Sequence, residues 1–341
     1  MKSKKHLTGP RWRAASFPLL NGNVSISDEW AAPEVVLEIV SFVQNIARHD
    51  HDLFRRHQIQ RLGFVRNEAL IRSLMLSTNL PVSTILHYYS RHRLPPYFEV
   101  FAKHVASLPS LSHAHPSDIN KWVGALRAEV REPGLAKRAD NYRRGADKLI
   151  ASSKNYLRKV RNKYSNLISV RLEIGYSEAY LASQPKRNVS PKMAKSDLRS
   201  LLDILDRRTD FAGYAWKFDH RPAKSFYFHF ALLFDGSDQS DDVELGELVG
   251  DLWIKRATRE RGAFFNCNAK KETYKKQGMH GLGTIKAADP NAWKKLEEDF
   301  LHLARIDHFL KLSGESIGKT FSKGQQHLSV RRSPKKGTNF L

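Results

Sequence analysis

Acidic residues are scarce in this 341-residue chain: 35 Asp and Glu stand against 57 Lys and Arg, a formal net charge of +22. That imbalance lies well outside the usual range of an enzyme for small metabolites and calls for a polyanionic partner. Cysteine is almost missing. The single Cys267 excludes an internal disulfide framework and any multi-cysteine zinc site, and it fits a reducing compartment, so a cytoplasmic location is expected. No stretch reaches the roughly 18 consecutive apolar residues of a membrane span, and no apolar run follows the basic opening MKSKKHLTGPRWR, so neither a membrane anchor nor a secretory signal is expected. An anionic membrane would call for a basic amphipathic segment with a clean apolar face. Nucleic acid is the better match, because neutralising several phosphates releases counterions and drives binding.

The chain is long enough for two domains with cores of their own. Residues 1–30 carry Pro10, Pro18, Gly22 and Asn23 without periodicity and read as an irregular arm. Residues 31–160 read as a basic helical domain. Val35, Ile39, Phe42, Val43 and Ile46 recur at helical spacing, and Leu53, Ile59, Leu62, Val65, Leu70 and Leu74 suggest further helix. Leu108–Pro116 is a Ser/Pro loop, and a strongly basic helix is predicted from Asp140 to Tyr164.

Residues 161–325 change pattern. ISVRLEIGY, Ile168–Tyr176, alternates as a half-buried strand, Ser190–Pro191 starts a helix, and Phe211–Gly236 reads as two strands joined through Arg221, Pro222 and Ala223. Asp241 and Asp242 open another helix, Thr284–Lys286 is a short strand, and a last helix follows Pro290. This order predicts an α+β fold in which helices cover one side of a mainly antiparallel sheet. Residues 326–341 form a basic tail without acids.

The hairpin carries the chemistry. With a period of two, Tyr227 and His229 share a face while Phe226, Phe228 and Phe230 point away. Asp219 ends the preceding strand, across the turn from His229, where a second ligand would lie. Other histidines are weaker candidates: His49 and His51 stand two apart in a helical context and do not share a face, and His113 and His115 sit in the Ser/Pro loop.

VRLEIGY (Val170–Tyr176), GYAWKFD (Gly213–Asp219), FHFALLFDG (Phe228–Gly236), FFNCN (Phe264–Asn268), LARIDHFLK (Leu303–Lys311) and KTFSKGQ (Lys319–Gln325) together resemble the YagK/YfjJ C-terminal family, also called the inovirus Gp2 family. That family is related to the His-hydrophobic-His initiators of rolling-circle replication. The resemblance covers about half of the chain. It implies a replication-initiator-like fold, a divalent cation (Mg or Mn) held by two histidines and an acid, and a tyrosine on a late helix that attacks a phosphate of single-stranded or origin DNA. By position Asp219 matches the acidic ligand and His229 the second histidine. Tyr227 stands where the first histidine belongs, and His302 where the nucleophilic tyrosine belongs; a phenol with an ordinary pKa near 10 is a poor metal ligand.

The resemblance therefore implies a DNA-binding, replication-initiator-like protein of a phage or mobile element whose catalysis is degenerate. Lys319, Lys323, Arg331, Arg332, Lys335 and Lys336 would contact the DNA backbone. One alternative is an active metal-dependent nicking and joining enzyme, with His302 as a candidate nucleophile. The other is an RNA-binding nucleoprotein that stacks bases on Tyr214, Trp216, Phe226 and Phe228.

Overall fold

The computed structural model describes residues 28–56, 64–66, 68–78, 82–111, 113–237, 241–276 and 280–324. The chain opens with helix α1 (Asp28–Arg48), the short strands β1 (Phe54–Arg56) and β2 (Phe64–Arg66), helices α2 (Glu68–Ser77) and α3 (Val82–Tyr88), strand β3 (His92–Arg93), and helices α4 (Pro96–His104) and α5 (Pro116–Val130). The apolar spacing between Leu53 and Val65 predicted helix. At Phe54–Arg56 and Phe64–Arg66 the chain instead forms β1 and β2, which pair antiparallel, Phe54 opposite Arg66 and Arg56 opposite Phe64, while Ile59 and Leu62 lie outside the described residues; Glu68 starts α2. A short apolar run satisfies both periods, and pairing with a neighbour decides between them. Val36, Ile39, Phe42, Phe98, Phe101, Val123 and Leu126 fill the core shared by α1, α4 and α5.

Helix α6 (Leu135–Lys163) is the predicted basic helix, begun earlier in the chain. Its N-terminal Leu135 packs with the core of the preceding helices, and its Tyr156, Leu157 and Val160 pack on the sheet that follows, so one helix is shared by both parts. The second part then runs β4 (Asn166–Tyr176), α7 (Glu178–Ser183), α8 (Pro191–Leu205), β5 (Phe211–Arg221), β6 (Ser225–Asp235), α9 (Asp242–Leu252), β7 (Gly262–Asn266), α10 (Lys271–Lys276), β8 (Gly283–Lys286), α11 (Pro290–Arg305), β9 (Lys311–Leu312) and β10 (Phe321–Lys323). The predicted helix starts are capped as their residue types require. Ser190 accepts from Met193 N–H, Asp241 from Val243 and Glu244, and Asp289 from Asn291 and Ala292.

The main sheet is antiparallel in the order β10-β5-β6-β4-β7, and β8 shares the outer edge of β4 with β7. The α+β class holds. Helices, however, cover both faces rather than one. Trp216, Phe218, Phe226, Phe228, Phe230, Leu172 and Ile174 form one face under α8 and α9. The other face carries two different surfaces. At one end Ala215, Ala231 and Leu233 pack against Tyr156 of α6 and Phe300 and Leu303 of α11. At the other end the same strands turn wholly polar, and that end holds the candidate site. Among the described residues no helix is long and apolar enough to cross a membrane.

Candidate functional site

Strand alternation places Arg171 and Glu173 of β4, Lys217, Asp219 and Arg221 of β5, and Tyr227 and His229 of β6 side by side on the polar end of the sheet. All seven are buried. In a half-buried strand Arg171 and Glu173 would lie on the solvated face, yet they are covered, because the first part of the chain lies over this end. The register also refines the expected pairing: Asp219 stands directly opposite Tyr227, and His229 opposite Lys217 and Glu173. Asp219 and His229 share a face but are diagonal neighbours.

The hairpin turn fixes this register. Ser225 adopts φ of 56°, a left-handed conformation uncommon for a side-chain-bearing residue. Its hydroxyl accepts from Val189 N–H and donates to Asn188 Oδ1 at 2.7 Å, which holds the turn against the segment before α8.

Asp219 is fully engaged. His92 Nε2, brought in by β3, lies 2.6 Å from its Oδ1, with the two side chains 1% and 6% exposed. The Tyr227 hydroxyl donates to Oδ2 at 3.5 Å. Burial alone would push the carboxyl up, but the neighbouring His92, Arg221 and Lys217 reverse this and hold it well below the usual range, so it stays ionised. β3 is positioned by pairing with β9, His92 opposite Leu312 and Arg93 opposite Lys311, which ties the early helices to the segment after α11.

His229 lies among charges of the opposite preference. Burial and Arg171 are the main causes that hold its basicity well below the ordinary histidine value, and Arg221 and Lys224 act in the same direction. Its Nδ1 is 3.9 Å from Glu173 Oε2, while the Lys224 ammonium donates to Glu173 Oε1. Lys217 is paired with Asp307, on the turn after α11. The layer thus holds the buried cations Arg171, Lys217, Arg221 and Lys224 against the carboxylates of Glu173, Asp219 and Asp307.

These residues do not fit a divalent cation. Asp219 has both oxygens committed to His92 and Tyr227, His229 faces three cations, and a phenol held neutral by burial replaces the third ligand. Among the described residues no group of three His, Cys, Asp or Glu is placed to share a metal ion.

His302, on α11, is half-buried on the same side of the sheet. Its basicity is lowered by burial, by Arg171 and by Arg305, which keeps the imidazole neutral. Tyr274 is buried on α10 beside the Cys267 thiol, whose pKa burial raises to about 11, so both serve packing. Trp216, Phe226 and Phe228 are core residues under α8 and α9 and offer no open stacking platform. Arg331, Arg332, Lys335 and Lys336 lie outside the described residues.

The sequence reading missed His92, Glu173, Lys224 and the Lys217–Asp307 pair. Glu173 could have been found, since it alternates onto the face that faces His229 across the ladder. His92 could not: it is 127 residues from Asp219 and sits in a segment with no periodicity of its own.

Lys319 and Lys323 lie elsewhere, at the β10 edge. Lys319 is exposed and Lys323 half-buried. Beside them α6 presents Arg143, Arg144, Lys148, Lys154, Arg158, Lys159 and Lys163 to solvent, its apolar seam of Tyr142, Ala146, Tyr156, Leu157 and Val160 being turned inward. Set against family models, curated proteins and solved structures, the chain matches none.

Proposed function

We propose that this protein binds DNA, preferably single-stranded, as a replication-initiator-like protein of a phage or mobile element in which strand cleavage has been lost. The carrying observation is the exposed cationic face of α6 that continues to Lys319 and Lys323, a surface about as long as the 29-residue helix itself. Over that length a phosphate backbone can meet several ammonium and guanidinium groups at once. The loss of cleavage is supported by the polar end of the sheet. The acid that the family resemblance assigns to the metal is held by His92 and Tyr227 instead, and no tyrosine occupies the position of His302.

Binding to a fluorescent single-stranded oligonucleotide should weaken steeply with salt, with a log–log slope of about −0.7 for each phosphate neutralised. An affinity that is flat between low and physiological salt would refute nucleic-acid binding. Covalent attachment to DNA in Mn²⁺ would refute the loss of catalysis.

A further inference from the structure

Between α6 and β10 lies a cavity of about 430 Å³ lined by Ser152, Asp206, Tyr214, Lys319, Ser322 and Lys323. Its size suits a single nucleotide unit. The walls differ in character. On one side stand Lys319 and Lys323, with Lys159 of α6 close by: burial first, then Lys319 and Lys159, lower the basicity of the Lys323 ammonium. Like charges gathered at a half-buried position are relieved by an anion placed between them.

The hydroxyls of Ser152 and Ser322 add hydrogen-bond donors on the same cavity. β10 is the last strand of the sheet order, and its bonds to β5 fall on either side of Phe321 and Lys323, from Phe218 N–H to Thr320 O and from Gly324 N–H to Tyr214 O. By antiparallel alternation the N–H groups of Phe321 and Lys323 point outward from the edge. Also on the lining, the Tyr214 phenol lies near Asp206, which helps burial to raise its pKa. That pair accepts and donates hydrogen bonds but repels phosphate, so it orients a ligand that has an anionic end and a neutral polar end.

We infer that this cavity is a subsite for one nucleotide of a bound single strand, its phosphate held between Lys319 and Lys323 and its sugar or base directed toward Tyr214 and Asp206. The inference rests on the nucleic-acid reading above and narrows it to one place on the basic surface.

The test measures binding of a short oligothymidylate by fluorescence anisotropy across a salt series. Compared are the parent, Lys319→Ala with Lys323→Ala, Ser322→Asp, and Lys255→Ala as a control, since Lys255 is engaged with Asp251 on α9 at 2.7 Å. The double variant should bind about tenfold more weakly, with the slope reduced in magnitude by roughly 0.7, the equivalent of one phosphate. Ser322→Asp places a carboxylate in the cavity and should weaken binding at least as much without a change in melting temperature, which keeps the result readable if the lysine variant folds poorly. Lys255→Ala should change neither quantity. Parent-like affinity and slope in both cavity variants would overturn the subsite while leaving DNA binding intact. Failure of the parent itself to bind would overturn both.

Discussion

His92 Nε2 and Asp219 Oδ1 lie 2.6 Å apart across 127 residues of sequence, both side chains almost wholly buried. This contact docks the helices of the first part of the chain onto the polar end of the sheet, and it occupies the carboxylate that the family resemblance would give to a metal. Removing one partner of a buried pair leaves the other charged or polar group without compensation. His92→Ala should therefore cost about 3 kcal/mol in urea denaturation, and the double variant His92→Ala with Asp219→Asn should lose less than the sum of the two single losses. Additive losses would mean that the two groups are not coupled.

Acid should loosen the fold before the carboxylates titrate. Burial first, and Arg91 second, hold His220 down to about 4, and burial with Arg171 holds His229 well below its usual value. The unfolded chain takes up these protons near the ordinary value of about 6.5 while the native protein does not. The stability they confer is thus complete above about pH 6.5 and is lost as pH falls toward 4, at up to about 1.4 kcal/mol per pH unit for each histidine. Denaturation midpoints between pH 7.5 and pH 5 check this, and His220→Gln should flatten the decline. An unchanged slope would assign it to other groups.

Manganese should find no site at the hairpin. Since Asp219 is engaged and His229 faces Arg171, Arg221 and Lys224, isothermal titration with Mn²⁺ should give the same result for the parent and for His229→Ala. Saturable uptake that disappears in the variant would restore the metal site.

Gly213 is required by close approach. A Cβ at this position would meet the Tyr156 hydroxyl at 2.1 Å, and that hydroxyl accepts the Tyr214 N–H at 3.1 Å. Gly213→Ala should destabilise by about 1–3 kcal/mol, and Tyr156→Phe, which removes the clashing oxygen, should make the alanine cheaper than it is in the parent. Equal cost in both backgrounds would place the strain elsewhere in β5.

Local chemistry wrote much of this fold into the sequence. The alternation of Ile168–Tyr176, the hairpin around Pro222, the caps at Ser190 and Asp241 and the basic length of α6 depend on residues within a few positions of one another, and a period or a cap is visible at that range. The same alternation correctly separated Tyr227 and His229 from the phenylalanines of β6. What alternation cannot supply is the identity of whatever lies over each face. Only the tertiary structure set His92 against Asp219, paired Lys217 with Asp307, buried Arg171 and Glu173, and resolved Phe54–Arg56 and Phe64–Arg66 into strands. The first three outcomes are decided by contacts between segments far apart in sequence, and the strands by pairing with a neighbouring segment; in each, desolvation and pairing energies outweigh local preference.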